Sequence, residues 1–173
     1  MRYTEKDRHH FTEPAEALAP WLLGKIICRE LSDGFIVRCR INVTEAYIQG
    51  EPFNDAVRAE KSGEKTTQHK EGGHLYVKPA RGEHRFDIVA NIGGVGEGVL
   101  IRSVDPYKEG PFRAAWALDI SSELDGADLL TSNKVWLEYD DAVITPNEPT
   151  TRVNLDSSKK LRFSISEIKF RGD

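Results

Sequence analysis

Two cysteines in 173 residues, Cys28 and Cys39, are too few and too awkwardly spaced for a disulfide framework or a zinc site. Both sit in apolar stretches and read as reduced core residues. The five histidines have no cysteine or carboxylate partner at zinc-ligand spacing, so neither a metal nor any other cofactor is expected. No apolar run approaches the roughly 20 residues that crossing a bilayer requires. The opening MRYTEKDRHH is too polar for a secretory signal, and a cytoplasmic location is the expectation. Positive charge is not in excess either: the net charge is −4 and the pI about 5.8, which argues against tight, non-specific nucleic-acid binding. A local basic face remains possible at Lys78 to Arg85, KPARGEHR, with Arg58, Lys65 and Lys70 nearby in sequence. On charge alone that stretch is a solvated loop.

What is present is alternation. From Phe35 through Val37, Cys39, Ile41, Val43, Glu45 and Tyr47 the odd positions are apolar except for Glu45, while the even ones carry Arg38, Arg40, Asn42 and Thr44. That period of two predicts a half-buried strand with its odd side chains toward the core. Further strands are expected at Lys25 to Leu31, His74 to Val77, Arg85 to Ile92, Val99 to Val104, Lys134 to Tyr139 and Leu161 to Ile168. Thr12 is placed to cap a short helix at Glu13 to Ala19, with Pro20 restarting a second turn that Gly24 ends. One more short helix is expected around Pro111 to Leu118. The stretch from Gln49 to Gly73 is nearly all polar and shows no regular period, the mark of a functional or mobile loop. No linker or repeat interrupts the chain, so the expectation is one mainly β domain over residues 1–173, an antiparallel β-rich core with a few short helices.

Two charges stand out against this pattern. Glu45 takes an inward position, and Arg102, in VLIRSV, shares a strand face with Leu100 and Val104. Opposite charges in apolar strands are best reconciled by facing each other across the core or at a pocket floor. The pair is then either a structural ion pair without chemistry, or an arginine-held carboxylate able to orient and deprotonate a water. By contrast GGVGEG, Gly93 to Gly98, joins two strands rather than a strand and a helix, and is read as a hairpin loop rather than a dinucleotide site.

LAPWLLGK, TEAY, HLYVK with RGEH, GVLIRSVDP, GP with AWALDI, DGADL, VWLEY, and TRV with LRF follow one another from about Phe11 to Phe163. That order of short motifs resembles the order in the alkyladenine, or 3-methyladenine, DNA glycosylases, β-rich enzymes that flip a damaged purine out of duplex DNA and hydrolyse its glycosidic bond. The resemblance implies a fold like that of the methylpurine-DNA glycosylases. It also implies a monofunctional enzyme in base-excision repair, acting as a monomer on double-stranded DNA that contains a damaged base. It places Glu45 as the general base, Arg102 as the residue holding the water and the base, and Val153 as the source of a backbone carbonyl for that water. Tyr47 keeps an aromatic face for the flipped base. Three positions depart from the family: Arg58 stands where a pocket histidine is expected, Lys78 where a second pocket tyrosine is expected, and Arg81, beside Gly82, where a tyrosine wedges into the DNA. Lys78 and Arg58 would repel a cationic alkylated base, which implies a preference for neutral lesions. A lysine in such a pocket also admits nucleophilic attack on the sugar, though contact with a phosphate is its commoner use. The alternative to an enzyme is a DNA- or nucleotide-binding relative that kept the fold and lost the reaction.

Overall fold

The computed structural model describes residues 1–171. A short 3-10 turn at Glu5–Asp7 leads into α1 (Arg8–Phe11) and α2 (Ala15–Trp21). Then come β1 (Ile26–Glu30), β2 (Ile36–Tyr47), α3 (Asp55–Lys61), β3 (Leu75–Ala80), β4 (Glu83–Ala90), β5 (Glu97–Asp105), α4 (Pro111–Ala117), β6 (Val135–Glu138), β7 (Val143–Pro146) and β8 (Arg162–Lys169). The strands pair antiparallel along the path β3-β4-β5-β2-β1-β6; β8 pairs with the far end of β2, and β7 with β8. The mainly β architecture with a few short helices is the expected one.

The core forms where α2 lies on β2 and β5. Leu18 and Ala19 of α2, with Leu22 just beyond it, are completely buried in a cluster with Ile27, Ile41, Ala46, Val99 and Ile101. Each fully buried leucine, isoleucine or valine of this cluster contributes about 1.5–3 kcal/mol by leaving water. Cys28 and Cys39 are buried as expected, and burial pushes their thiols up to about 12 and about 11.

The helical expectations need three corrections. α2 starts after Pro14, which occupies the cap position itself, while the Thr12 hydroxyl instead donates to the His9 carbonyl at the end of α1, 3.2 Å away. Pro20 does not restart a turn; it lies inside α2, one residue from its end, and Leu22 N–H still reaches Leu18 O at 2.9 Å. The polar stretch after β2 is not irregular throughout, since it holds α3 and a 3-10 turn at Thr67–His69. Only Ala56 of α3 is buried, so no apolar stripe announces the helix. Its start is fixed by Asn54, whose side chain accepts from Ala56 N–H at 3.2 Å and donates to Gly96 O at 2.8 Å.

Among the strands, β7 was not expected, because its residues are mostly exposed and it exists through pairing with β8. β3 runs on to Ala80 through Pro79, which is tolerated because β3 is the first strand of the path and its outer edge carries no ladder. Phe35 precedes β2 and is 64% exposed, not inward.

The alternation in β2 holds only to Ile41. Against β5 the register runs Ile41↔Val104, Val43↔Ser103, Thr44↔Ile101, so that Asn42 is an extra residue on β2 and Arg102 an extra residue on β5. These adjacent bulges reverse the facing of both strands. Before them on β2, Cys39 and Ile41 belong to the core; after them, Ala46 does, and Thr44 turns its hydroxyl to Ala19 O of α2 at 2.8 Å. On β5 the core residues are Val99 and Ile101, then Val104. Arg102 therefore shares a face with Leu100 but not with Val104. Glu45 is buried, but on the face opposite the apolar core.

Candidate active site

That opposite face floors a cleft of about 530 Å3 whose walls include Tyr47, Lys78, Arg81, Arg85, Leu100, Arg102, Phe112 and Val153. The volume lies within the range of small-molecule sites. Glu45 does not itself line the cleft; it is completely buried beneath three residues that do, Tyr47, Arg102 and Val153. Its Oε1 accepts the Val153 backbone N–H at 3.1 Å and faces Arg162 Nη1 at 3.6 Å and Arg102 Nε at 3.8 Å. Its Oε2 accepts from the Tyr47 hydroxyl at 3.2 Å. Both guanidiniums also meet Glu109, Arg162 at 2.6 Å and Arg102 at 3.4 Å, so two anions and two cations alternate. Desolvating Glu45 is offset by this shell of donors.

The expected Glu45–Arg102 proximity and the approach of Val153 are thus present. What Val153 supplies to Glu45 is its N–H. Arg162 was missed, although it sits directly opposite Glu45 in the β2–β8 register and belongs to the LRF motif.

Behind Tyr47 lies Arg152, 3% exposed, with its guanidinium carbon 5.0 Å from the Tyr47 ring centroid and 5.8 Å from that of Phe53. It binds Glu51 through two nitrogens, at 2.8 and 3.0 Å, and Ala46 O at 2.9 Å. One residue thereby ties the end of β2, the segment after it and the segment carrying Val153.

The expected base-contacting residues fare unequally. Arg58 is not in the cleft: its side chain is 55% exposed and folds back onto Pro52 O at 3.0 Å and Phe53 O at 2.9 Å. α3 turns it outward and presents Asp55 instead. Lys78 does line the cleft, but its Nζ is bound to Asp55 Oδ1 at 2.6 Å, with Arg85 Nη2 at 3.7 Å from the other oxygen. The cleft's unshared positive charge is less than the sequence implied. Arg81 and Gly82 form the two-residue turn of the β3–β4 hairpin, at φ +55° and +80°. Positive φ at both residues is the hairpin turn whose twist suits the strands, and Arg81 accepts the steric strain that Gly82 escapes. This holds Arg81 exposed on the cleft rim.

A smaller recess of about 10 Å3 opens beside the cleft and shares Tyr47, Arg85 and Leu100 with it; Phe53, Asp55, Gln68 and Asp87 complete its lining. Asp87 is 8% exposed, and burial, aided by the Asp55 charge, pushes its carboxyl up to about 7 against the pull of Arg85, Gln68 and Lys78. FDIVA, a lone acid in an apolar strand, carried the same signal as Glu45 but was not singled out.

Residues 9–109 match the family model described as methylpurine-DNA glycosylase. A protein from Mesorhizobium japonicum, provisionally named a 3-methyladenine DNA glycosylase, is 31% identical over 91% of this chain and 85% of its own length. This chain belongs to the methylpurine-DNA glycosylase family. A Natranaerobius thermophilus protein with the same provisional name is 28% identical over 95% of this chain and 96% of itself. The DNA-3-methyladenine glycosylase of Mus musculus is 29% identical over 75% of this chain and 47% of the mouse protein. The family read from motif order is the family found.

Proposed function

We propose that this member of the methylpurine-DNA glycosylase family is a DNA-repair enzyme that hydrolyses the N-glycosidic bond of a damaged purine flipped out of DNA. The observation that carries the reading is the buried Glu45 carboxyl directly behind the lining of an open cleft, with its oxygens turned to Val153 N–H, the Tyr47 hydroxyl and two guanidiniums. A nucleoside in the cleft would stack its base on Tyr47 and turn its sugar toward Glu45. As the bond from the sugar to the base breaks, the electron pair leaves with the base and the anomeric carbon becomes cationic. Glu45 stabilises that charge and takes a proton from the water that adds to the carbon. The proton then passes to the departed base. Arg102 and Arg162 hold the carboxyl in place, and a carbonyl near Val153 orients the water.

Arg81, exposed on the rim, fills the gap left by the flipped base with a flat, charged group able to stack on bases and meet phosphate. Monofunctional chemistry is favoured because the Lys78 ammonium is engaged by Asp55. A preference for neutral over cationic lesions is favoured less by Lys78 than by Arg152. A guanidinium over Tyr47 already draws on the ring's π-electrons and weakens its attraction for a second cation.

Duplexes carrying hypoxanthine, ethenoadenine or 3-methyladenine test the reading. Wild type is expected to release the neutral bases faster than 3-methyladenine, and Glu45→Gln to slow release by roughly 10²–10⁴-fold. Equal, low release by both proteins across the panel would leave DNA binding without chemistry. Faster release of 3-methyladenine would overturn the base preference.

A further inference from the structure

The recess beside Tyr47 has a built floor. Gln68 Nε2 donates to Asp87 Oδ2 at 2.9 Å, and Gln68 Oε1 accepts Ala56 N–H at 3.0 Å, which fixes the orientation of the amide and uses both its ends. Gly98 makes room for the pair: a Cβ there would lie 2.8 Å from Gln68 Nε2 and 2.9 Å from Asp87 Oδ2. Asp87 Oδ1 has no hydrogen-bond partner among the described residues. At about 10 Å3 the recess is near the smallest volume that holds one water. It is too small for a base but fits one oxygen or amino group projecting from a base. Its shared walls with the cleft, Tyr47, Arg85 and Leu100, mean that a base stacked on Tyr47 presents an edge to it.

Resting on the base-excision reading, we infer that Asp87 reads the exocyclic substituent of the flipped base, donating to a carbonyl oxygen when protonated and accepting from an amino group when ionised. Both states are populated near neutral pH, since the carboxyl titrates at about 7. The groups facing it are Arg85 on its own strand, Lys78 and Tyr76 on β3, Asp55 on α3, Gln68 on the 3-10 turn and Tyr47 on β2. Arg85, Lys78 and the Gln68 amide favour the carboxylate; burial and Asp55 favour the acid. Discrimination between carbonyl-bearing and amino-bearing bases therefore changes with pH, whereas a step common to all three bases cancels in a ratio.

The test is single-turnover release from one duplex sequence carrying hypoxanthine, adenine or unsubstituted purine at the same site, from pH 5.5 to 8.5. In wild type the hypoxanthine-to-purine ratio is expected to fall roughly tenfold as pH rises from 6 to 8, the effect of one buried hydrogen bond, while the adenine-to-purine ratio rises. In Asp87→Asn, checked by its melting temperature for folding, both ratios are expected to be flat. A flat ratio in wild type, which needs no variant, or the same slope in Asp87→Asn, overturns the assignment and leaves base excision standing. Release of no base at any pH removes the base-excision reading and this inference with it.

Discussion

Asp87 carries a conflict between its place and its charge that shows in stability as well as in recognition. Below about pH 4 its carboxyl is protonated in folded and unfolded chains alike and changes nothing. Between its ordinary value of 3.8 and about 7, the folded chain keeps a proton that the unfolded chain releases. Stability therefore falls as pH rises through that window, by up to about 4 kcal/mol, and the loss persists above it. Asp87→Asn keeps an acceptor for Gln68 without the titration. Its stability advantage over wild type is expected to grow by about 2.5 kcal/mol between pH 5 and pH 8 in urea titrations; an advantage independent of pH would show that the carboxyl is not held up. At this scale the sequence singled out Glu45 and Arg102 as charges breaking an apolar alternation and so brought the pair together, while the facing it gave each of them was wrong. Arg58 misled because a loop position says nothing about which way a helix will turn it. Arg162 and Asp87 carried the same kind of signal as Glu45, an ionic side chain in a strand, and were passed over.

At the scale of elements, the hairpin joining β3 to β4 sets local strain against the part proposed for Arg81 in meeting DNA. Arg81 sits at φ +55°, where a side chain other than glycine's is strained by about 1 kcal/mol or more. Arg81→Gly is expected to raise the unfolding free energy by about 0.5–1 kcal/mol, provided the added freedom of the unfolded chain does not cancel the relief. The same change is expected to weaken DNA binding and to reduce the slope of log affinity against log salt by about 1. Unchanged affinity and slope would take Arg81 out of the DNA interface. Strands with periodic burial were legible from the sequence within a residue or two of their ends, except β3, which runs three residues past the expected Val77. α3 and β7 were not, because α3 rests on a cap and polar contacts, and β7 on a distant partner strand. The reversal of facing in β2 and β5 escaped for a related reason: a bulge is a property of two paired strands, and the alternation of one strand alone does not reveal it.

For the whole molecule, the net charge of −4 conceals an uneven distribution, with Lys78, Arg81, Arg85 and Arg102 all lining one cleft. Lys78 and Arg85 share Asp55, and Arg102 faces Glu45 and Glu109, so the charge left to attract phosphate is concentrated at Arg81 on the rim. Arg152 joins Ala46, Glu51 and the segment that delivers Val153. Arg152→Ala would leave Glu51 buried with only the more distant Lys159, 3.6 Å away, and is expected to destabilise the fold by about 3–5 kcal/mol in chemical melts. A loss below about 1 kcal/mol would mean that Glu51 finds water instead. How β8 takes over from β1 along β2 was beyond reach of local pattern, since it depends on segments more than a hundred residues apart.

The unmatched Asn42 on β2 has a consequence for what mutation can reach. Deleting that residue alone would leave the TEAY sequence intact while exchanging which neighbours look outward: Ala46 would take the floor of the cleft, and Glu45 would be driven against Leu18 and Ile101. The TEAY motif would then still be present in a chain whose proposed general base no longer borders the cleft.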